Sequence, residues 1–242
     1  MNMVEKNRAK NRAYIEELKS MTDEELCKKF NCTPEQICRG NYEAKYTNDE
    51  VCPYVVVLGF VNAAASNLKS LGDLKFVGVG DFGDGLYNQG LVLSNSEIKD
   101  LGKVKRIYGS LMLDAKTKYV TSFGELEYIG DSCYLNRTLI KDMGKVKEIG
   151  GILSIDNSNI TSLEGLEKVG KIFAYEGYSL KDWGNTLKEV GDVEFGFQPI
   201  AYTKSGSAQS LRIHSVFHDK FKRNSSGKFE RIEAKKEESL DI

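Results

Sequence analysis

Between residues 51 and 200 the apolar positions fall into columns. SNLKSLGDLKFVG from Ser66, SEIKDLGKVKRIYG from Ser96 and KYVTSFGELEYIG from Lys118 can be laid over one another. TLIKDMGKVKEIG from Thr138, SNITSLEGLEKVG from Ser158 and YSLKDWGNTLKEVG from Tyr178 continue the series. The overlay aligns Leu71, Leu101, Phe123, Met143, Leu163 and Trp183, and three residues upstream Leu68, Ile98, Val120, Ile140, Ile160 and Leu180. Each copy follows an alternating apolar pair: Val61/Ala63, Leu91/Leu93, Leu111/Leu113, Cys133/Leu135, Leu153/Ile155 and Phe173/Tyr175, with Val193/Phe195 after the last. Side chains two apart on a strand share a face, so these pairs are expected to point inward. Ser66, Ser96, Thr138 and Ser158 suit the turn that follows, where a hydroxyl can satisfy backbone groups. Gly130, Gly150, Gly170 and Gly191 are expected to make the tight bend into the next strand.

One such unit has too little apolar surface to stand alone, whereas stacked units bury a continuous core. The pattern therefore predicts an α+β chain whose residues 51–200 form a solenoid with a parallel β-sheet on one side. The column steps by 30, 22, 20, 20 and 20 residues. The long first step implies an insertion, assigned to GVGDFGDGLYNQG after Val77. Residues 1–50 have a different texture, with a helical stripe of Tyr14, Leu18 and Met21. MTDEELCKKFNCTPEQICRG reads as two helices, the first opened by a Thr22/Glu25 capping box and the second by Thr33 and Pro34. They are expected to form a helical N-terminal cap or a small separate module. Residues 201–242 leave the repeat as a small C-terminal extension, with a hairpin turn at Asn224–Gly227.

The unit L-x-L-x-x-S/T-x-I-x-x-L-x-x-L-x-x-V-G resembles the leucine-rich repeat, specifically its short bacterial and bacteriophage variety. VKEIGGILSIDNSNITSLEGLEKVG carries the likeness most clearly, and register holds across about 150 residues, 51–200. Two extra residues after Leu113, the insertion, and Tyr178 in place of Ser or Thr depart from the pattern. The resemblance implies a protein-binding module working through its strand face. For the phage variety it implies an inhibitor of a host enzyme or defence complex.

With 34 basic and 35 acidic residues the formal charge is −1, which removes any gross attraction to phosphate or anionic lipid. The longest apolar run, Tyr54 to Phe60, is far short of a membrane span. The five cysteines have no disulfide-dense spacing and read as reduced thiols in a cytoplasmic protein.

Charge and strand geometry together pick out a surface. Residues between and after the inward pairs must point outward, giving one column of Asn62, Val92, Met112, Tyr134, Ser154, Ala174 and Glu194. The next column is Ala64, Ser94, Asp114, Asn136, Asp156, Glu176 and Gly196. Met112 and Tyr134 as anchors, with Asn136, Glu194 and an acidic ladder of Asp114, Asp156 and Glu176, suit a protein partner with a basic surface. Phe82 and Tyr87 in the insertion are further candidate contacts.

The remaining constellations weigh less. Residues 22–41 have helix-turn-helix spacing, which would aim Glu35, Gln36 and Arg39 at a major groove, but they offer a single Arg there. A nucleic-acid-binding regulator using this segment or the C-terminal extension is the alternative reading. Cys27, Cys32, Cys38 and Cys52 lack paired zinc spacing, and His214 and His218 lack a third ligand. Gly78-Val-Gly80-Asp-Phe-Gly83 lacks the βαβ context of a dinucleotide loop. No catalytic set can be assembled, so no enzymatic activity, cofactor or metal is expected.

Overall fold

The structure, a computed structural model, describes residues 2–80, 89–113, 119–174, 179–195 and 217–232. The chain winds into a parallel β-solenoid of about seven turns. Each early coil carries two short strands: β1 (Ile37–Cys38) and β2 (Tyr42–Glu43), then β3 (Val56–Val57) and β4 (Val61–Asn62). Next come β5 (Phe76–Val77) and β6 (Gln89–Val92), β7 (Arg106–Ile107) and β8 (Ser110–Met112), β9 (Tyr128–Ile129) and β10 (Cys133–Tyr134). In later coils each pair fuses into one longer strand: β11 (Glu148–Ser154), β12 (Lys168–Ala174) and β13 (Glu189–Phe195).

Strands β1, β3, β5, β7 and β9 and the first half of β11 form one parallel row, and β2, β4, β6, β8, β10 and the second half of β11 form another. The solenoid thus has a first and a second strand face plus a return flank, where the pattern had predicted strands on one side only. The extra row arises at the end of each repeat, in Lys-Phe-Val77, Lys-Arg-Ile107, Glu-Tyr-Ile129 and Lys-Glu-Ile149. There a β-branched residue points inward between outward-facing neighbours, which is a strand pattern.

The spine is dry. Both aligned columns, Leu68 to Leu180 and Leu71 to Trp183, are at most 2% exposed, and Leu111, Leu113, Leu153 and Ile155 are equally buried. The return flank bends at Gly72, Gly102, Gly124 and Gly144, whose φ of 54–58° is left-handed. Each glycine amide donates to the side chain two residues earlier, on Ser70, Asp100, Ser122 or Asp142. In the turn after the inward pair, the Ser66 and Thr138 hydroxyls donate to the Ala63 and Leu135 carbonyls as that column predicts, whereas the buried Ser96 and Ser158 hydroxyls find no hydrogen-bond partner among the described residues. The insertion falls between Val77 and Leu91, and an antiparallel bridge from Gly80 to Gln89 closes its base.

Gly130, Gly150, Gly170 and Gly191 serve a purpose other than bending, since none is among the left-handed residues. They stack directly over one another, and a Cβ on them would come 2.1–2.5 Å from the carbonyl oxygen of the preceding coil. This flat track receives α1 (Met3–Ser20), which crosses the coils along the first face rather than lying over an open end. Asn7 Nδ2 donates to the Gly150 carbonyl at 2.9 Å and Asn11 Nδ2 to that of Gly130 at 2.8 Å. The fit is metric: four helical residues rise about 6 Å and neighbouring strands lie about 4.8 Å apart, so an inclined helix meets one coil per turn.

Arg8 Nε pairs with the buried Asp131 carboxylate at 2.9 Å, and the Tyr128 hydroxyl donates to Asn11 Oδ1 at 2.8 Å. Burial beneath α1 pushes that hydroxyl's pKa up to about 12. Farther along, Ile15 and Leu18 join Leu26 of α2 (Asp23–Phe30) against Val55, Val56, Leu58 and Phe76. α2 opens with the expected Thr22/Glu25 capping box.

The second helix expected after Thr33 does not form. Pro34–Gln36 make a single 3-10 turn that runs directly into β1. The cause is pairing: Val55 N–H bonds the Gln36 carbonyl, and Ile37 and Cys38 lie alongside Val56 and Val57. At the far end, β14 (Phe221–Arg223) and β15 (Phe229–Arg231) form the predicted hairpin, and β15 pairs antiparallel with β13. Phe217, Phe221 and Phe229 bury themselves in the same core as Trp183.

Candidate protein-binding face

The three flanks of the solenoid are finished differently. α1 and α2 cover much of the first face. The return flank and its corner are laced by exposed ion pairs that link successive coils: Lys69–Glu50, Lys103–Asp73, Lys145–Glu125 and Lys188–Glu167, at 2.6–2.8 Å. Among the described residues, the second face has neither finish at its centre.

Strand pairing sets its outward column. Glu43 lies beside Asn62, then Val92, Met112, Tyr134, Ser154, Phe173 and Glu194 follow in register. Met112, Tyr134 and Phe173 are half-buried, and Val92 is more deeply set. Apolar side chains occupy the middle, interrupted by the buried Ser154, with polar or charged ones at both ends. Lys171 stands beside Phe173 with Nζ 4.5 Å from the ring centroid, and it also pairs with Glu194 and, at 3.7 Å, with Asp192. Tyr119 and Leu139 are large exposed residues at equivalent places in consecutive coils, a few residues beyond the second face.

Of the residues picked out by sequence, Met112, Tyr134 and Glu194 share this column, while Asn136 and Asp156 follow it by two residues. Asn136 is exposed, and its Oδ1 accepts from the Ser154 hydroxyl at 2.9 Å. Asp114, Glu176, Phe82 and Tyr87 lie outside the described residues, as do Tyr175 and His214.

One register assignment is corrected. The inward pair in β12 is Ile172 and Ala174, both 0% exposed, so Phe173 replaces Ala174 in the outward column. Ile149 is opposite Val169, but Ile152 is opposite Lys171, so Gly150 and Gly151 together face the single Gly170. That lost residue turns every following side chain over. Two aromatics, Phe173 and Tyr175, would also overfill a spine built for Leu and Ile. Lys171, Phe173, Tyr119 and Leu139 were not reached by sequence reasoning. The available signal for the first two was the single glycine before Lys171, where the preceding coil has a pair.

In the helix-turn-helix-like segment the single Arg is engaged within the protein. Arg39 donates from Nη1 to the Lys19 carbonyl at 3.1 Å and from Nη2 to that of Met21 at 2.8 Å, and it pairs with Asp23. It caps the end of α1 rather than projecting as a reading side chain. Among the described residues, no three His, Cys, Asp or Glu side chains converge as metal ligands, and no helix is long and apolar enough to cross a membrane. No protein-family profile, curated protein or solved structure matches the chain.

Proposed function

We propose that the protein is a non-enzymatic binding module whose second face holds a protein partner with a basic surface. The observation that carries this reading is the contrast among the flanks: one is covered by helices, one is laced by ion pairs, and one presents Val92, Met112, Tyr134 and Phe173 in register. Aromatic and Met anchors inside a polar border are the composition of protein interfaces. At this border Glu43 pairs with Lys45, Asp192 with Lys171 and Arg223, and Glu194 with Lys171, so the preference for a cationic partner rests on the outward acidic column read from the sequence, with Asp156 its described member.

The likeness to the short bacterial and bacteriophage leucine-rich repeat belongs to this proposal and is supported by the recurring L-x-L-x-x-S/T register. The paired strands on a first face are a departure from the one-sided sheet it implies. A role as inhibitor of a host enzyme or defence complex rests on the repeat signature alone.

A photo-crosslinking residue placed at Tyr134, compared with one at Lys103 on the ion-paired flank, tests the face in cells. A cationic protein captured from Tyr134 and absent from Lys103 is the expected outcome. With that partner purified, Tyr134→Ala and Phe173→Ala should each weaken binding about tenfold or more, while Lys103→Ala leaves it unchanged. Equal capture from both positions, or affinities indifferent to the two aromatic substitutions, overturns the assignment.

A further inference from the structure

Away from the second face, α2 ends in a turn that brings two cysteines together. Asn31 takes the left-handed conformation at the helix terminus (φ 52°, ψ 65°), and the Cys32 amide folds back to donate to the Cys27 carbonyl at 3.2 Å. This is a Schellman closure, in which the side chains at the two closing positions commonly touch. Here both positions carry thiols, and the two are near enough to interact electrostatically. Both are half-exposed.

The other three cysteines have different surroundings. Cys133 is wholly buried, and burial holds its proton far above the ordinary thiol range. Cys52 is buried, its thiol pushed up to about 11 and directed at the Tyr54 carbonyl. The Cys38 thiol is directed at the carbonyls of Gly40 and Asn41.

We propose that Cys27 and Cys32 form a redox-responsive dithiol, which closes to an intrachain disulfide when a small-molecule disulfide such as glutathione disulfide reaches the end of α2. The Cys27 thiolate attacks one oxidant sulfur, breaking the oxidant's S–S bond and releasing one thiolate, and leaves a mixed disulfide on Cys27. Cys32 then loses its proton to solvent and attacks the Cys27 sulfur, releasing the second thiolate. The protein is oxidised by two electrons, the oxidant is reduced to two thiols, and the two protons lost by the cysteines balance the two gained by the leaving groups. Burial and the neighbouring thiol raise the Cys32 pKa, with Lys75 opposing. The closed ring fixes the last turn of α2, where Phe30 packs on Phe76 at a ring-centroid distance of 5.0 Å.

The full chain, incubated with glutathione disulfide, alkylated and cleaved at acidic residues, yields a Leu26–Glu35 peptide holding only these two cysteines. The expected peptide has lost the mass of two hydrogens and carries neither glutathione nor alkyl group. Cys32→Ser should instead trap one glutathione on Cys27. Phenylarsine oxide, which needs two thiols, should bind the wild-type chain at this peptide and lose it in both Cys27→Ser and Cys32→Ser. Glutathione persisting on the wild-type peptide, or a bond from either residue to Cys38, Cys52 or a second chain, overturns the proposal.

Discussion

Ala65 holds φ at 49° in the turn after an inward pair, the place that Asn95, Arg137 and Asn157 fill in other coils. Left-handed backbone costs a residue with a side chain about 1–2 kcal/mol. Ala65→Gly removes that strain and adds freedom to the unfolded chain, so a net gain of about 0.5 kcal/mol is expected, read as a higher urea midpoint. Gly150→Ala should move the midpoint the other way, by about 1–3 kcal/mol. Its new Cβ would lie 2.3 Å from the Gly130 carbonyl oxygen and 3.3 Å from the Asn7 Cβ. The two residues show what the repeat makes legible. The pattern identifies small positions in the coil, and asparagine at 95 and 157 marks a left-handed site. The glycine track invites a reading as bends because a glycine between strands is most simply a turn. Its real constraint comes from neighbouring coils and a helix more than a hundred residues away in sequence.

At the scale of elements, the inward columns were legible because each copy repeats them, but the number of residues at the corner was not. Three residues lie between Ile129 and Cys133 and between Ile149 and Leu153, whereas two lie between Val169 and Ile172. The candidate face inherits that error at Phe173, because Lys171–Tyr175 alternates acceptably in either register. The placement of α1 was equally hidden, since what directs it is polar: Asn7, Asn11 and Arg8 seek carbonyls and a carboxylate on distant coils. Arg8→Met should therefore cost about 2–3 kcal/mol, the scale of hydrogen bonds to a charged group left buried. Asp131→Asn in the Arg8→Met background should cost less than it does alone, a non-additivity measurable by urea unfolding of the four chains. On the opposite flank, hydrogen bonds from Lys103, Lys145 and Lys188 hold the carboxyls of Asp73, Glu125 and Glu167 below the usual carboxylate range. A lowered folded pKa gives stability that is present above the unfolded value of about 4 and lost as pH falls through the folded one. The urea midpoint should drop between pH 5 and pH 3, and about 0.5 M salt should flatten the change, because these pairs are exposed.

For the whole molecule, coils that touch only their neighbours make stability a chain of nearest-neighbour terms, so the ends decide where unfolding begins. One end is closed by residues 37–46, which extend both strand rows, and the other by the β14–β15 hairpin. The turn at Asn224–Gly227 announced the hairpin, but its role as a lid depends on Phe229 pairing with Val190, a contact no local periodicity encodes. Trp183, the single tryptophan, reports on that lid: Phe217 lies 4.8 Å from it and Phe221 lies 6.5 Å away, ring centroid to centroid. Phe221→Ala removes a ring stacked on Phe217 at 4.8 Å and should loosen the terminal coil before the centre. In urea, the red shift of Trp183 emission should then come at lower concentration than the loss of far-ultraviolet circular dichroism, with the two transitions closer together in the wild-type chain. Coincident transitions in the variant would show that the coils unfold as one unit and that the hairpin merely rests on the end of a solenoid stable without it.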